Sequence, residues 1–319
     1  MTNLPLVSLL IPCYNHRDFL DDCMRSVLAQ TYENIEVLIC DDASPDGSFE
    51  KLLSYEPALR QRFANVSLQR NAVNRGVTGN LNRMLQEASG AYIKILASDD
   101  CMKPEAIEKM VTALEAEPAA GVAVCNGEKV PEEQHYPDFL PGAPVYTEAP
   151  DFSPKGFAER VALRNDIFAP GAMIRKTVFN RFGLFDETLT IEDYEFWMRI
   201  LLRGNVRFLY LPEQLLYYRI SAGSITAMQA NAGLERRRRR FHSGEMDTLA
   251  KLRSELPRRI YALAAAERIL QERWIAKQAG LTQWEEELRQ RWQQFDCKKD
   301  IPFKDKLRIL WRHRRLDRK

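Results

Sequence analysis

Apolar runs alternate with amphipathic segments along the first 126 residues. The runs "LVSLLI" (6–11) and "IEVLIC" (35–40) are continuous and rich in branched apolar residues, which predicts two buried strands. Between them apolar residues recur at helical spacing, at Phe19, Leu20, Cys23, Met24, Val27 and Leu28. The chain therefore begins with a predicted strand–helix–strand unit.

The same alternation continues as far as residue 125. Strands are predicted over 66–69, 91–96 and 121–125, and the segments between the strands carry apolar residues at helical spacing. Such alternation is typical of an α/β fold, with a mainly parallel, doubly wound sheet covered by helices on both faces. Ligands of these sheets bind at the carboxyl ends of the strands.

The pattern changes after residue 126. Residues 127–170 are rich in proline and acidic residues, which predicts a loop-rich insertion. The next elements expected are a strand over 171–176, a helix over 191–204 and two strands within 206–220. Beyond Ile225 long helical segments are interrupted at Pro257 and Gly280. We therefore expect a catalytic domain over 1–224 and a helical extension over 225–319.

The net charge of +2 conceals an uneven distribution. Residues 225–319 hold 24 Lys and Arg against 13 Asp and Glu, whereas residues 1–224 hold 22 against 31. An acidic body thus carries a basic tail.

The six cysteines form no CxxC pair, which favours a reducing cytosol. The sequence shows no signal-peptide pattern and no run near the roughly 20 apolar residues that span a bilayer, so we expect a cytoplasmic protein.

Acidic pairs stand where this topology predicts ligand sites. Asp41-Asp42 and Asp99-Asp100 follow predicted strands, and Glu192-Asp193 opens a predicted helix. Any one pair could be a helix cap or a solvated turn. Together they favour a hard divalent cation, Mg²⁺ or Mn²⁺, shared with a phosphate. The chain contains neither GxGxxG nor GxxxxGK[ST], which disfavours a dinucleotide-dependent dehydrogenase and a P-loop ATPase.

Five ordered motifs resemble those of glycosyltransferase family 2. They are "VSLLIPCYNHRDFLDDCMRSVLAQTYENIEVLICDDAS" (7–44), "NRGVTGNLN" (74–82), "ASDD" (97–100), "FGLFDE" (182–187) and "IEDYEFWMR" (191–199). The resemblance covers roughly residues 5–224. It implies a GT-A domain and an inverting transfer of a sugar from a nucleoside diphosphate sugar.

The resemblance also implies roles for residues on the donor side. Asp42 would accept a hydrogen bond from the ring N–H of the base, which uracil and thymine have and cytosine lacks, so a UDP-sugar or dTDP-sugar is expected. Pro12 and Tyr14 would wall the base pocket. Asp100 would bind the metal directly, and Asp99 would contact the ribose or a metal-bound water. The other donor-binding candidates are Asn15, Asn74, Gly76, Asn82 and Arg219.

Asp193 is the expected catalytic base, because inversion by direct displacement needs one carboxylate to take the proton of the acceptor hydroxyl. Its place at the start of a helix would keep it ionised. Gly171, Ala172 and Glu192 are expected on the acceptor side. Many family members carry Tyr-Arg-x-His after this helix, whereas this chain has Ser221 at the His position, which leaves Arg219 and Ser221 as alternative contacts for the diphosphate.

The segment 303–319 combines an apolar stripe with basic residues. Phe303, Leu307, Leu310 and Trp311 share one face of a predicted helix, and the rest of it carries Lys304, Lys306, Arg308, Arg312, Arg314 and Arg315. This pattern is typical of a helix that lies on an anionic membrane surface. Packing on another subunit of a homo-oligomer is the alternative.

The five consecutive arginines 236–240 are accompanied by no nucleic-acid-binding module, so no nucleic acid partner is expected.

These observations predict a metal-dependent inverting glycosyltransferase at the inner face of the cell membrane. Its acceptor would be a glycan or a lipid-linked glycan in the biosynthesis of O-antigen, capsule or lipopolysaccharide. A sugar nucleotidyltransferase is one alternative, but it should carry a Gly-rich basic loop where this chain has "IPCYNHRD". A non-catalytic nucleotide-sugar-binding protein is another, and it should lack Asp193 or Asp100, both of which are present.

Overall fold

The computed structural model describes residues 4–221 and 233–317, and the side chains of the last helix as far as Trp311. The chain divides into two compact units. Unit 1 comprises Met1–Pro154, Ile167–Asp186 and Arg203–Ile220, and unit 2 comprises Lys155–Asp166, Glu187–Leu202 and Ser221–Lys319. The predicted boundary near residue 224 lies outside the described residues.

Unit 1 contains one eight-stranded mixed sheet. Its strands are β1 (Val7–Cys13), β2 (Ile35–Asp41), β3 (Asn65–Arg70), β4 (Tyr92–Ile95), β5 (Cys101–Met102), β6 (Ala120–Pro131), β7 (Ala172–Arg175) and β8 (Arg207–Ile220). Their order is β3-β2-β1-β4-β7-β6-β8-β5. Strands β1 to β4 pair in parallel, and β7 runs antiparallel between β4 and β6. The predicted α/β fold is confirmed, and the sheet is mixed rather than all parallel.

The helices follow the predicted order with three additions. They are α1 (Leu20–Leu28), α2 (Ser48–Arg62), α3 (Gly76–Glu87), α4 (Ala106–Ala116), α5 (Phe157–Leu163), α6 (Lys176–Phe182), α7 (Glu192–Gly204), α8 (Leu234–Lys251), α9 (Arg258–Gln278), α10 (Thr282–Gln294) and α11 (Phe303–Asp317). Helices α2, α5 and α6 were not predicted. Helix α2 buries only Ser48, Leu52 and Leu59 and contains Pro57, so no apolar stripe reveals it.

Two stretches differ from the prediction. The segment 127–170 is not all loop, because β6 continues to Pro131 and α5 lies within it. The two strands expected in 206–220 are one strand, β8. Its pairing with β6 shifts register near Cys125, so that Leu211 and Gln214 face consecutive residues of β6. A bulge of this kind accommodates Pro212, which cannot donate to the ladder.

The strand register sets the position of the ligand edge. Cys13 of β1 lies opposite Asp41 of β2, and Asp41 lies opposite Arg70 of β3. The parallel pairing of β4 with β1 ends at Leu10 and Ile95. The residues that follow these four strands therefore emerge at one edge of the sheet.

Unit 2 is helical. The Tyr194 hydroxyl of α7 donates to the Ala162 carbonyl of α5 at 2.8 Å, and Arg268 of α9 donates to the Leu163 carbonyl at 2.6 Å. These bonds join α5 and α7 to the C-terminal helices, so most of α7 groups with those helices rather than with residues 1–154. Across the described ranges 4–221 and 233–317, no helix has both the length and the hydropathy needed to cross a bilayer.

Candidate functional site

Asp42 organises the loop that follows β3. Its Oδ1 accepts hydrogen bonds from the Asn71 amide at 2.7 Å and the Arg75 N–H at 2.8 Å, and its Oδ2 accepts from the Gly76 N–H at 2.8 Å. The residue is only 3% exposed. Two carboxylate oxygens can accept about four hydrogen bonds, so the cradle leaves Asp42 one acceptor position. The predicted contact with the base uses that position and stays a prediction.

Gly76 and Asn74 shape the same loop. Gly76 has φ +76°, a left-handed conformation that favours glycine, and it begins α3. Its N–H also lies 3.0 Å from the Asn74 side-chain oxygen. Asn74 is exposed at the ligand edge. The structure thus places both donor-site candidates beside Asp42.

The turn after β1 carries the other candidates for the base pocket. Pro12 lies beyond the last residue of β1 that pairs with β4, where the ladder does not need its N–H. Tyr14 is 44% exposed and offers an aromatic face. Asn15 has φ +57°, and its N–H donates to the Ser44 hydroxyl at 3.0 Å. Ala43 also has a positive φ, of 59°. Strained backbone at two neighbouring strand ends is typical of a functional site.

Three residues of this edge were missed by sequence analysis. Arg70 donates to the Ser44 carbonyl at 2.9 Å and lies 3.4 Å from the carboxylate of buried Asp41. Asn71 holds Asp42, and the Nδ1 of His16 lies 2.8 Å from the Ser98 hydroxyl. Arg70 ends β3, Asn71 follows it directly, and His16 lies within the first matched motif. Their positions relative to the strand ends and the motif are the signal in the sequence that could have found them.

The acidic pair after β4 is arranged differently from our expectation. The Asp99 side chain is 24% exposed, and its Oδ1 lies 3.8 Å from the Nδ1 of His16. Asp100 is 2% exposed, and its Oδ1 accepts the backbone N–H of Arg219 at 2.9 Å. Burial and the neighbouring charge of Asp99 raise the pKa of Asp100 well above its usual value. The outward carboxylate is therefore Asp99. Asp100 fastens β8 to the segment 97–100, which we call the acidic loop.

Arg219 does not face a diphosphate, which corrects the predicted contact. It is 2% exposed, and its guanidinium lies 2.8 Å from the carboxylate of Asp22. It also donates to the Asp99 carbonyl at 2.9 Å and to three backbone carbonyls of the segment 131–134. The ring of Phe19 lies 4.8 Å from it. Arg219 thus holds the acidic loop in place through contacts within the protein. Ser221, which follows β8, is half-buried.

A divalent cation fits this edge only with oxygens from a ligand. Asp99 supplies one outward carboxylate, and the neighbouring Asp100 is turned inward. Mg²⁺ is usually held by one or two carboxylates together with phosphate oxygens and waters, which is the donor set that Asp99 and a diphosphate would provide. The residues present therefore fit a cation shared with the diphosphate.

Another cluster with metal-ligand spacing lies in unit 2. Ligand atoms of His242, Glu245 and Glu272 lie within 4.8 Å of one another. Arg268 pairs with Glu245 at 2.6 Å, and Arg238 pairs with Glu272. Two arginines already neutralise the two carboxylates, so a divalent cation would add an uncompensated buried charge. We interpret the cluster as a buried ion-pair network.

Asn82 binds the protein backbone rather than a nucleotide, a second correction. It is 4% exposed, and its side-chain amide donates to the Phe185 carbonyl at 2.9 Å. Its side-chain oxygen accepts the Phe185 N–H at 3.0 Å. This two-bond clamp fixes the "FGLFDE" segment against α3.

Gly171 and Ala172 are buried, which contradicts their predicted contact with an acceptor. A Cβ on Gly171 would lie 2.5 Å from the Cys125 carbonyl oxygen, so glycine is required by close packing. Ala172 pairs with Val124 inside the sheet. The adjacent turn is held by fully buried Lys94, which donates to the Pro170 carbonyl and whose pKa burial lowers to about 8.

The predicted catalytic pair opens α7 in unit 2. Burial raises the pKa of Asp193 to about 6, against hydrogen bonds from the Tyr194 N–H and the Asn165 amide. Burial and the charge of Asp193 raise the pKa of Glu192 to about 7. We expected the helix dipole to keep the pKa of Asp193 low, but the effect of burial, which raises that pKa, is larger. Asp193 can therefore accept and release a proton near neutral pH.

The family model for glycosyl transferase family 2 matches residues 8–183. The chain belongs to glycosyltransferase family 2. An uncharacterised glycosyltransferase of Rickettsia typhi is 30% identical over 210 residues, which are 65% of this chain and 62% of that protein. The putative teichuronic acid biosynthesis glycosyltransferase TuaG of Bacillus subtilis is 39% identical over 112 residues, which are 35% of this chain and 43% of that protein. The matches thus span less than two thirds of these family 2 relatives.

Solved structures show that this family 2 chain has the GT-A fold. The mannosyltransferase PcManGT of Pyrobaculum calidifontis, in complex with GDP-Man and Mn²⁺, aligns with a TM-score of 0.60 at 18% identity over 88% of this chain and 74% of that one. Residues 1–349 of TarS from S. aureus, in complex with UDP-GlcNAc, align with a TM-score of 0.58 at 17% identity over 91% of this chain and 92% of that one.

Proposed function

We propose that this family 2 protein transfers a sugar from a nucleoside diphosphate sugar to a glycan acceptor with inversion at the anomeric carbon. The observation that carries the proposal is Asp193, a half-buried carboxylate at the start of α7 whose pKa of about 6 suits a general base. The cradle around Asp42 and the outward carboxylate of Asp99 support the donor half of the proposal.

The donor is proposed to bind at the strand edge of unit 1. The remaining acceptor position of Asp42 suits a ring N–H, which uracil and thymine carry at N3 and cytosine does not. Tyr14, being 44% exposed, supplies a face on which the base can stack. The complex of TarS with UDP-GlcNAc supports a sugar donor with a uracil base by analogy. A UDP-sugar or dTDP-sugar is the proposed donor class.

Asp99 is proposed to hold a divalent cation together with the diphosphate. Bound there, Mn²⁺ or Mg²⁺ would offset the negative charge that develops on the departing diphosphate. Asp100 and Arg219 act as positioning residues, because the Asp100 carboxylate accepts the backbone N–H of Arg219 and the Arg219 guanidinium donates to the Asp99 carbonyl. The Mn²⁺ complex of PcManGT supports a cation in this fold by analogy.

Asp193 is proposed to take the proton of the acceptor hydroxyl. As that oxygen forms a bond to the anomeric carbon, the bond from the carbon to the diphosphate oxygen breaks and the proton moves to the Asp193 carboxylate. The Asn165 amide hydrogen-bonds to Asp193 and orients it. Glu192, the next residue, is proposed to contact the acceptor.

The acceptor is proposed to be a glycan or a lipid-linked glycan in the biosynthesis of a surface polysaccharide. The printed name of TuaG, with its place in teichuronic acid biosynthesis, supports this pathway class by analogy. The acceptor assignment rests on that likeness and on the surface of α11.

Helix α11 is proposed to bind an anionic membrane surface. Phe303, Leu307 and Trp311 are 75%, 54% and 60% exposed. The fourth predicted member of the stripe, Leu310, is partly buried against the core beneath the helix. The side chains of the basic residues after Trp311 lie outside the described part of the chain.

Vesicle sedimentation tests the membrane proposal. Phosphatidylglycerol vesicles should sediment the protein and phosphatidylcholine vesicles should not, and Phe303→Ser together with Trp311→Ser should abolish the binding. A stable dimer that dissociates in the same double variant, with no vesicle binding by either protein, would favour the subunit-packing alternative.

A panel of nucleotide sugars tests the proposed activity. UDP-, dTDP-, GDP- and CDP-sugars are scored for thermal stabilisation with and without Mn²⁺ or Mg²⁺. Stabilisation by uracil or thymine donors, lost in Asp99→Asn, is the expected result. Failure of every nucleoside diphosphate sugar to bind with either cation would refute the proposal.

A further inference from the structure

A cleft of about 500 Å³ lies in unit 2 beside the segment that orients the proposed base. Its lining includes Arg160, Arg164, Asp166, Arg268, Gln271 and Arg308. Asn165, whose amide hydrogen-bonds to Asp193, stands between two of these residues in the chain. The cleft is therefore lined by the residues on both sides of the one that hydrogen-bonds to the proposed base.

A second set of contacts ties the cleft to the catalytic helix. Arg268 is 3% exposed, and its guanidinium lies over the ring of Tyr194 at 5.5 Å. Tyr194 follows Asp193 in α7 and donates to the Ala162 carbonyl at 2.8 Å, while Arg268 donates to the Leu163 carbonyl. The wall of the cleft and the proposed base are thus parts of one hydrogen-bonded assembly.

The cleft has an excess of positive charge. Its lining holds four arginines against two acidic residues, Asp166 and Glu267. Arg308 pairs with Glu267 at 2.9 Å, and Arg268 pairs with Glu245 at 2.6 Å. Arg164 is exposed and its charge acts on neighbouring Asp166, but within the described residues its guanidinium forms no direct hydrogen bond or ion pair. A planar fork of donors that faces an open cleft suits a carboxylate or a phosphate.

We propose that this cleft, the Arg164 cleft, is an acceptor subsite that binds a negatively charged group, a carboxylate or a phosphate, of the glycan. The inference rests on the proposed function, because it assigns the acceptor side of the same reaction. Arg164 and Gln271 donate to the anionic group, and Leu163 and Leu263 supply an apolar floor for the sugar ring. The acceptor class is therefore an acidic glycan: a uronic-acid-containing or a phosphate-bearing one.

Binding of small anionic sugars to the full chain tests the subsite. Methyl β-glucuronide, glucose 6-phosphate and methyl β-glucoside are titrated by calorimetry, with UDP and Mg²⁺ present so that a phosphate cannot occupy the donor edge. One of the two anionic sugars should bind at least about tenfold more tightly than the neutral one, and the stronger of them identifies the charged group. Arg164→Gln should weaken that binding by about tenfold, the usual loss for one charge-assisted hydrogen bond.

A matched control lies in the same unit. Arg258 lines a separate cleft of about 570 Å³ that is also rich in basic residues, so Arg258→Gln should leave anion binding unchanged. Equal binding of neutral and anionic sugars, equal losses in the two variants, or no binding of either anion at millimolar concentration would overturn the subsite. Binding of UDP alone is measured first, so that a failure of the donor site is recognised separately from a failure of the cleft.

Discussion

Replacing Arg219 by methionine separates a positioning role from a contact with the diphosphate. The substitution keeps an apolar stem of similar length but removes the cation that pairs with Asp22 at 2.8 Å. Asp22 is 3% exposed, and among the described residues it would retain the ring of His135, which lies 3.0 Å away and is itself largely exposed. Removing one partner of a buried pair costs about 3–5 kcal/mol, because the other charge stays buried without compensation.

The assay is urea unfolding of the native chain and of Arg219→Met, followed by UDP binding to the folded variant. We expect the free energy of unfolding to fall by about 3 kcal/mol, at the lower limit because His135 still contacts Asp22. Adding Asp22→Asn should recover about 1–2 kcal/mol, since a neutral amide is less costly to bury. Arg259→Met, an exposed control in unit 2, should change stability by less than about 0.5 kcal/mol.

UDP binding decides between the two roles. If Arg219 has a positioning role, folded Arg219→Met still binds UDP. Its affinity for UDP then falls only because the acidic loop is displaced. A loss of stability below about 1 kcal/mol together with abolished UDP binding would refute the buried-pair account and restore the direct contact with the diphosphate.

Three further substitutions test other parts of the structure. Asn82→Ala should lower the free energy of unfolding by about 1–3 kcal/mol, because both backbone groups of Phe185 lose their partner. UDP should still bind to the folded variant. Loss of UDP binding without destabilisation would contradict the clamp. Gly76→Ala should cost about 1–2 kcal/mol in urea unfolding, because φ +76° strains alanine although the space for a Cβ is open; an unchanged midpoint would contradict that conformation. Carbon-13 NMR should show Asp193 titrating in two coupled steps in the native chain, and in one step near pH 6 in Glu192→Gln; a single native step near pH 4 would argue against the raised pKa values.

Strand ends and their acidic residues could be predicted because they depend on local pattern. The parallel register aligns Cys13, Asp41 and Arg70, so any residue directly after these strands lies at the ligand edge. The order of the matched motifs supplied the family, which the comparison with the family model confirms. These features require no knowledge of distant contacts.

Burial at the edge could not be predicted, because it depends on residues far apart in the chain. Asp100 turns inward because the backbone of Arg219, 119 residues later, binds its carboxylate. Asn82 is occupied by Phe185, 103 residues later. The sequence shows that both side chains form hydrogen bonds. It does not show that their partners are groups of the protein rather than a ligand.

Helix α2 and strand β8 show the limits of periodicity. Helix α2 buries three residues without a regular stripe, and β8 contains a proline that a bulge absorbs. The raised pKa of Asp193 was likewise missed, because the helix dipole can be inferred from sequence whereas the burial that outweighs it cannot.

Sugar transfer by Asp193→Asn tests the central claim most directly. The variant is isosteric and removes only the ability to take a proton, so it should fold and bind the nucleoside diphosphate sugar as the native chain does. With the donor that the panel identifies and an acidic glycan acceptor, the account predicts that transfer falls by at least about 100-fold while donor affinity is unchanged. Transfer by the variant at a rate close to that of the native chain would contradict the account.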